Sequence, residues 1–90
     1  MLSRDVVVVN ALGLHARAAA RFVQLASRFK SHIRVTRQDG RSADGKSILG
    51  LLTLIARQET ALTLSADGAD EREALLALVD LVAARFGEEQ

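Results

Sequence analysis

The sequence predicts an α+β fold, an open-faced β-sandwich in which a four-stranded antiparallel sheet of order 1-4-2-3 carries three helices on one face. Three observations predict it. Apolar residues recur at intervals of three and four in three stretches and alternate in others, giving the order β-α-β-β-α-β-α. Ninety residues support one small core and not two, so residues 1–90 read as a single domain. Four short strands cannot bury both faces of a sheet, so the helices must cover one face, and right-handed crossovers insert the last strand between the first and second.

Val6 to Val9 form an unbroken β-branched run, which reads as a strand buried on both sides or lying in mid-sheet. Asn10, Gly13 and His15 interrupt it. From Ala16 the spacing becomes helical, with Ala19, Phe22, Val23, Ala26 and Phe29 in one apolar stripe and Arg17, Arg21 and Arg28 forming a ridge on the opposite face. Ile33 and Val35 then alternate with His32, Arg34 and Thr36, so His32 points outward. Asp39-Gly40 supplies left-handed conformations for a tight turn into a return strand from Arg41 to Ala43.

Asp44-Gly45 ends that strand, and Ser47 is placed to cap a short helix through Ile48, Leu49, Leu51, Leu52, Leu54 and Ile55. This helix is greasy on most sides. A small domain cannot hide all of it, so some of its leucines are expected to form a docking patch. Leu62, Leu64 and Ala66 alternate as the last strand, which stops at Asp67-Gly68. Asp70 and Glu73 make a capping-box-like pair for the final helix, whose stripe runs through Leu75, Leu78, Val79, Val82 and Phe86 to a terminating Gly87. The phenylalanines fall on helix stripes and read as core.

Composition excludes several classes of function. Twelve basic and eleven acidic residues leave a net charge of +1, too balanced for a chain that wraps nucleic acid. The distribution is lopsided, however: residues 11–50 hold eight basic and two acidic side chains (+6), and residues 51–90 hold three basic and eight acidic (−5). The absence of cysteine removes disulfide scaffolds, thiol nucleophiles and thiolate metal sites, and no metal site is expected from two histidines. No apolar run spans a bilayer and no secretory signal is visible, so a cytoplasmic protein without membrane insertion is expected.

The informative stretch is Gly13-Leu14-His15-Ala16-Arg17, which sets a histidine where a loop becomes a helix, with an arginine two residues on. Free N–H groups and partial positive charge at a helix start favour an anion, and Arg17 adds charge-assisted hydrogen bonds, so a phosphoryl group would be well held there. The same field disfavours imidazolium and keeps a ring nitrogen free for attack on phosphorus. No acid or base adjoins His15 in sequence, and no nucleotide loop or acidic metal cluster occurs, so a partner must complete any chemistry. Spacing alone is equally compatible with a polar residue that tidies a turn.

These residues, together with Gly45-Lys46-Ser47-Ile48-Leu49-Gly50-Leu51-Leu52, resemble the histidine-containing phosphocarrier (HPr) family over the whole chain. The resemblance implies a carrier of the bacterial phosphoenolpyruvate-dependent phosphotransferase system, itself not an enzyme and needing no cofactor. It implies that His15 accepts phosphate at Nδ1 from enzyme I and passes it to a histidine of an enzyme IIA domain, with Arg17 assisting. Ser47 matches the family's regulatory serine, a target of HPr kinase/phosphorylase in some bacteria. The family usually has proline after the arginine where this chain has Ala18, which restores an N–H donor and gives up some rigidity.

Ala16, Ala20, Arg21, Arg28, Lys46, Leu49 and Leu52 are the expected partner-binding residues, the cations framing the site and the leucines forming its apolar centre. The charge asymmetry then serves to steer transient partners. Two alternatives remain at this level: a regulatory or nitrogen-related paralogue of the same family, or a non-catalytic module whose basic helix meets an acidic protein or RNA with His15 as a cap, the RNA version being disfavoured by the lack of exposed aromatics.

Overall fold

Each sequence stretch with period two becomes a strand in the computed structural model, which describes Met1–Gln90. The strands are β1 (Leu2–Val7), β2 (His32–Arg37), β3 (Ser42–Asp44) and β4 (Ala61–Asp67), and the helices are α1 (Ala16–Ala26), α2 (Ile48–Leu52) and α3 (Glu71–Ala83). The sheet is antiparallel throughout, in the order β1-β4-β2-β3. The register places Ile33 opposite Ala66 and Val35 opposite Leu64, so these apolar side chains share one face. α3 lies against β1 and β4, and α1 packs beside α3 and α2. Twenty buried apolar residues form one continuous cluster between sheet and helices. No helix is long and apolar enough to cross a membrane.

The valine run behaves differently from the expectation of a strand buried on both sides. β1 ends at Val7 and lies at the sheet edge, with β4 as its only neighbour. Val8 is buried, whereas Val7 and Val9 are 48% and 40% exposed. The helices cover a single face, so alternate valines meet solvent, and β-branching suits an extended backbone on either face. The uncovered face is polar: the Ser3 and Ser65 hydroxyls are hydrogen-bonded at 3.0 Å, and Thr63 Oγ1 donates to Asp5 at 2.8 Å.

Three element ends also depart from the pattern. α1 stops at Ala26, and the chain turns through Ser27–Lys30, so Arg28 lies past the helix rather than on its ridge. The return strand is Ser42–Asp44, one residue later than expected, because Arg37 and Arg41 close a wider loop through an Arg37 N–H to Arg41 carbonyl bond. Only Gly40 is left-handed in that loop; the Asp39 carboxylate instead pairs with the Arg37 guanidinium. α2 has five residues rather than a run to Ile55, and Ile55 is itself left-handed with a φ of 50°.

The capping box expected at α3 is absent. Asp70 occupies the cap position, but its carboxylate reaches across the fold to Ser31, accepting from the Ser31 N–H at 2.9 Å, from the Ser31 hydroxyl, and from the Lys30 N–H at 2.8 Å. With both oxygens engaged by the α1–β2 loop, the Asp70 carboxylate makes no side-chain capping bond to α3. These bonds, led by the Ser31 hydroxyl, lower the Asp70 pKa to about 2. Because the folded value is depressed, the stabilisation is complete above the unfolded value near 4 and disappears as pH falls from there towards 2. Asp70→Asn is therefore expected to melt lower than the wild type at pH 7, with the gap closing in melts at pH 2–3. A constant gap across that range would contradict this assignment.

The C-terminal end of α3 also differs. The stripe was expected to continue through Phe86 to Gly87, yet the helix stops at Ala83 and Arg85, Phe86 and Gly87 are all left-handed, with φ of 59°, 54° and 83°. Phe86 reaches the core from this reversed turn and is 1% exposed. Left-handed conformations at two residues with a Cβ cost roughly 1–2 kcal/mol each, a penalty that burial of one phenylalanine offsets.

Candidate functional site

The loop after β1 is pinned before it reaches α1. Gly13 is left-handed (φ 67°), and a Cβ there would lie 2.5 Å from the Ala56 carbonyl oxygen, so only glycine permits this approach. Leu14 N–H then donates to the same carbonyl at 2.8 Å. Asn10 is fully buried and its amide donates to the Gly13 carbonyl at 2.8 Å. His15 is thereby delivered in extended conformation as the N-cap residue of α1.

Its side chain does not perform the capping. The His15 carbonyl accepts from Ala19 N–H at 2.8 Å, while the N–H groups of Ala16, Arg17 and Ala18 find no acceptor within the chain. The N-cap position therefore sets the ring at the positive end of the helix dipole, where the first-turn N–H groups have no intrachain acceptor. Ala16 and Arg17 are exposed, whereas Ala18, which stands where the family usually has proline, is fully buried. The His15 side chain is 24% exposed and the Arg17 side chain 66%, so both are reachable from solvent.

The structure adds an acidic residue that the sequence reading did not identify. Glu88 Oε2 lies 2.7 Å from His15 Nε2 and 3.7 Å from Arg17 Nη2, and Glu88 Oε1 accepts from Asn10 Nδ2 at 2.8 Å. Its side chain is only 13% exposed. Burial pushes the Glu88 carboxyl upward, but the Asn10 amide, the His15 ring and the Arg17 charge together outweigh that and hold it below the usual carboxylate range. The left-handed turn carries the tail back over the loop, secured by Arg21 donating to the Phe86 carbonyl and Ala11 N–H donating to the Gln90 carbonyl. No periodicity marks Glu88 or Asn10; in sequence Asn10 only interrupts the valine run, and Glu88 carries no signal.

The other expected site residues differ in exposure and in their partners. Ala16 is exposed and Ala20 partly so on α1. Arg21 is half-buried and committed to the Phe86 carbonyl, and Lys46 Nζ donates to the Phe29 carbonyl at 2.7 Å, so both cations have internal partners. Arg28 is exposed and lines a groove with Arg21, Leu81 and Phe86. On α2, Leu49 is 74% exposed, whereas Leu52 packs against the core. Ser47 caps α2 as expected, its hydroxyl accepting from Gly50 N–H at 2.9 Å.

Comparison with known proteins follows the same lines. The family profile described as "PTS HPr component phosphorylation site" matches residues 2–84. The chain is 51% identical over 88 residues to the phosphocarrier protein HPr of Neisseria meningitidis and 50% identical over 88 residues to that of Cupriavidus necator, covering 98% of each partner in both alignments. Among solved structures it is similar to the crystal structure of HPr-C-His from Thermoanaerobacter tengcongensis, with a TM-score of 0.94, 46% identity and full coverage of both chains. A phosphorylation-site profile over nearly the whole length, full-length relatives and a superimposable fold agree, and the chain belongs to the HPr family of phosphotransferase-system phosphocarriers.

Proposed function

We propose that this chain carries a phosphoryl group on Nδ1 of His15, taking it from phospho-enzyme I and delivering it to a histidine of an enzyme IIA domain during sugar uptake in the cytoplasm. The observation that carries this reading is a solvent-reachable imidazole at the N-cap of α1, beside unpartnered first-turn N–H groups and the exposed Arg17 guanidinium. A dianionic phosphoryl group on that ring gains hydrogen bonds and charge neutralisation without rearrangement of the fold. The partly exposed position lets the group enter and leave between partners.

For the bond exchange itself this chain supplies a lone pair and an anion-binding cradle. The nitrogen–phosphorus bond of the donor's protonated phosphohistidine breaks, leaving its electron pair on a ring that becomes neutral. Nδ1 of His15 supplies the pair for the new bond, and its own ring takes up the positive charge. Delivery to enzyme IIA repeats the exchange in the opposite sense. Arg17, Ala16, Ala20, Leu49 and Leu52 form the contact surface in this reading, with Arg28 adding charge at its margin and Arg21 and Lys46 fixing the backbone beneath it.

Incubation with enzyme I and phosphoenolpyruvate is expected to place one acid-labile phosphate on the wild type, transferable to an enzyme IIA domain, and none on His15→Ala. Wild-type protein that takes up no label would refute the carrier role. Ser47 extends the proposal to regulation by HPr kinase/phosphorylase: a phosphate there would sit at the start of α2 but add nearly two negative charges to the docking face, weakening encounter with an acidic partner. ATP and that kinase should raise the mass of the wild type and leave Ser47→Ala unchanged.

A further inference from the structure

The geometry points to Glu88 as a positioning residue for the phosphoryl acceptor: its carboxylate accepts a hydrogen bond from His15 Nε2–H and so leaves the ring's lone pair on Nδ1, the atom that must attack phosphorus. This rests on the reading of His15 given above. An ionised carboxylate only accepts hydrogen bonds, and a bare Nε2 at 2.7 Å would set lone pair against lone pair, so Nε2 must carry the proton. A neutral imidazole has one N–H, and with it committed at Nε2 the other nitrogen is bare.

The carboxylate is itself held. Its second oxygen accepts from Asn10 Nδ2, and Asn10 also donates to the Gly13 carbonyl two residues before His15. The loop that sets the height of the ring therefore also sets the direction of its partner. Asn10, Glu88 and His15 form a relay of the kind that fixes a histidine tautomer in metal sites and hydrolases. When Nδ1 takes phosphorus the ring becomes cationic while Nε2 keeps its proton, and the adjacent carboxylate stabilises that developing charge. The Arg17 guanidinium is only loosely engaged by Glu88, at 3.7 Å, and stays free for the phosphoryl oxygens.

The test uses the full chain with Glu88→Gln and Glu88→Ala. Glutamine replaces an obligate acceptor by a group that can donate to Nε2 and so stabilises the wrong tautomer; alanine removes the partner altogether. Nitrogen-15 NMR of His15 in the neutral ring is expected to show Nε2 protonated and Nδ1 bare in the wild type, with the Nδ1–H form gaining population in Glu88→Gln. Transfer from enzyme I should fall about ten- to hundredfold in Glu88→Gln and less in Glu88→Ala, the range seen when outer partners of a histidine are removed.

Melting temperatures near that of the wild type would confirm that the fold is kept. Unchanged tautomer populations in Glu88→Gln, or wild-type transfer rates in both variants, would overturn the assignment. Failure of the wild type to accept phosphate would end the carrier reading and the positioning role with it. That result is told apart because the tautomer shift, read without phosphate, would remain.

Discussion

Replacing Arg17 with glutamine is expected to slow phosphoryl transfer from enzyme I by about 10²–10³-fold, the usual cost of removing one preorganised donor to transferring charge. Stability should barely change. The Arg17 side chain is 66% exposed, and its one ionic contact is a 3.7 Å approach to Glu88, so the folded protein gains little from it. In the proposed carrier its value lies in what arrives at His15. There the free N–H groups of the exposed Ala16 and Arg17 would face the phosphoryl group, but they carry only partial charge, and a full guanidinium beside them offsets a dianion far better. The measurement is a rapid-quench time course of transfer from phospho-enzyme I, paired with a thermal melt. A rate equal to the wild type would remove Arg17 from the reaction, while a large fall in melting temperature would assign it a structural role instead. Arg17→Lys separates charge from geometry: an ammonium keeps the charge and loses the planar fork, so recovery should be partial.

The elements of this fold were legible because one-sided burial imposes a period on each. Leu62, Leu64 and Ala66 on β4 alternate because helices cover only their side, and Ser47 sits where its hydroxyl meets the Gly50 N–H. Chain ends were less legible, since they depend on what a side chain finds elsewhere. Asp70 has the spacing of a capping box, yet Ser31 offers its carboxylate two donors and Lys30 N–H a third, and the long-range partners prevail. The valine run was misleading for a related reason: β-branching reports extended backbone and says nothing about whether a second layer covers the strand.

His15 and Arg17 were visible as a candidate site because their relation is local, two residues apart at a helix start. Glu88 was not visible, because its bond to His15 spans 73 residues and is made through a reversed turn in which Arg85 and Phe86 adopt left-handed conformations. Neither residue type advertises such a turn. Gly87 does, but one glycine after a helix reads as a simple stop and does not disclose that the chain doubles back.

That turn makes Phe86→Ala the substitution with the largest expected effect on stability. Phe86 is 1% exposed in the common core, and truncating a buried phenylalanine costs about 3–5 kcal/mol. For a chain of this size the melting temperature should fall by on the order of 15 °C or more. The effect should reach the site as well. The left-handed turn persists because the Phe86 side chain holds it down and Arg21 holds its carbonyl, so removing the ring favours relaxation of Arg85 and Phe86 to ordinary conformations. The tail would then swing away and take the Glu88 carboxylate from His15 Nε2. Phe86→Leu separates the two consequences, since leucine retains most of the apolar anchor. It should recover much of the stability together with the His15 NMR signature of the wild type, whereas Phe86→Ala, studied well below its melting point, should resemble Glu88→Ala. If Phe86→Ala melts lower but keeps the wild-type histidine signature, the tail is held by its own bonds, among them Ala11 N–H to the Gln90 carbonyl, and the core does not set the site.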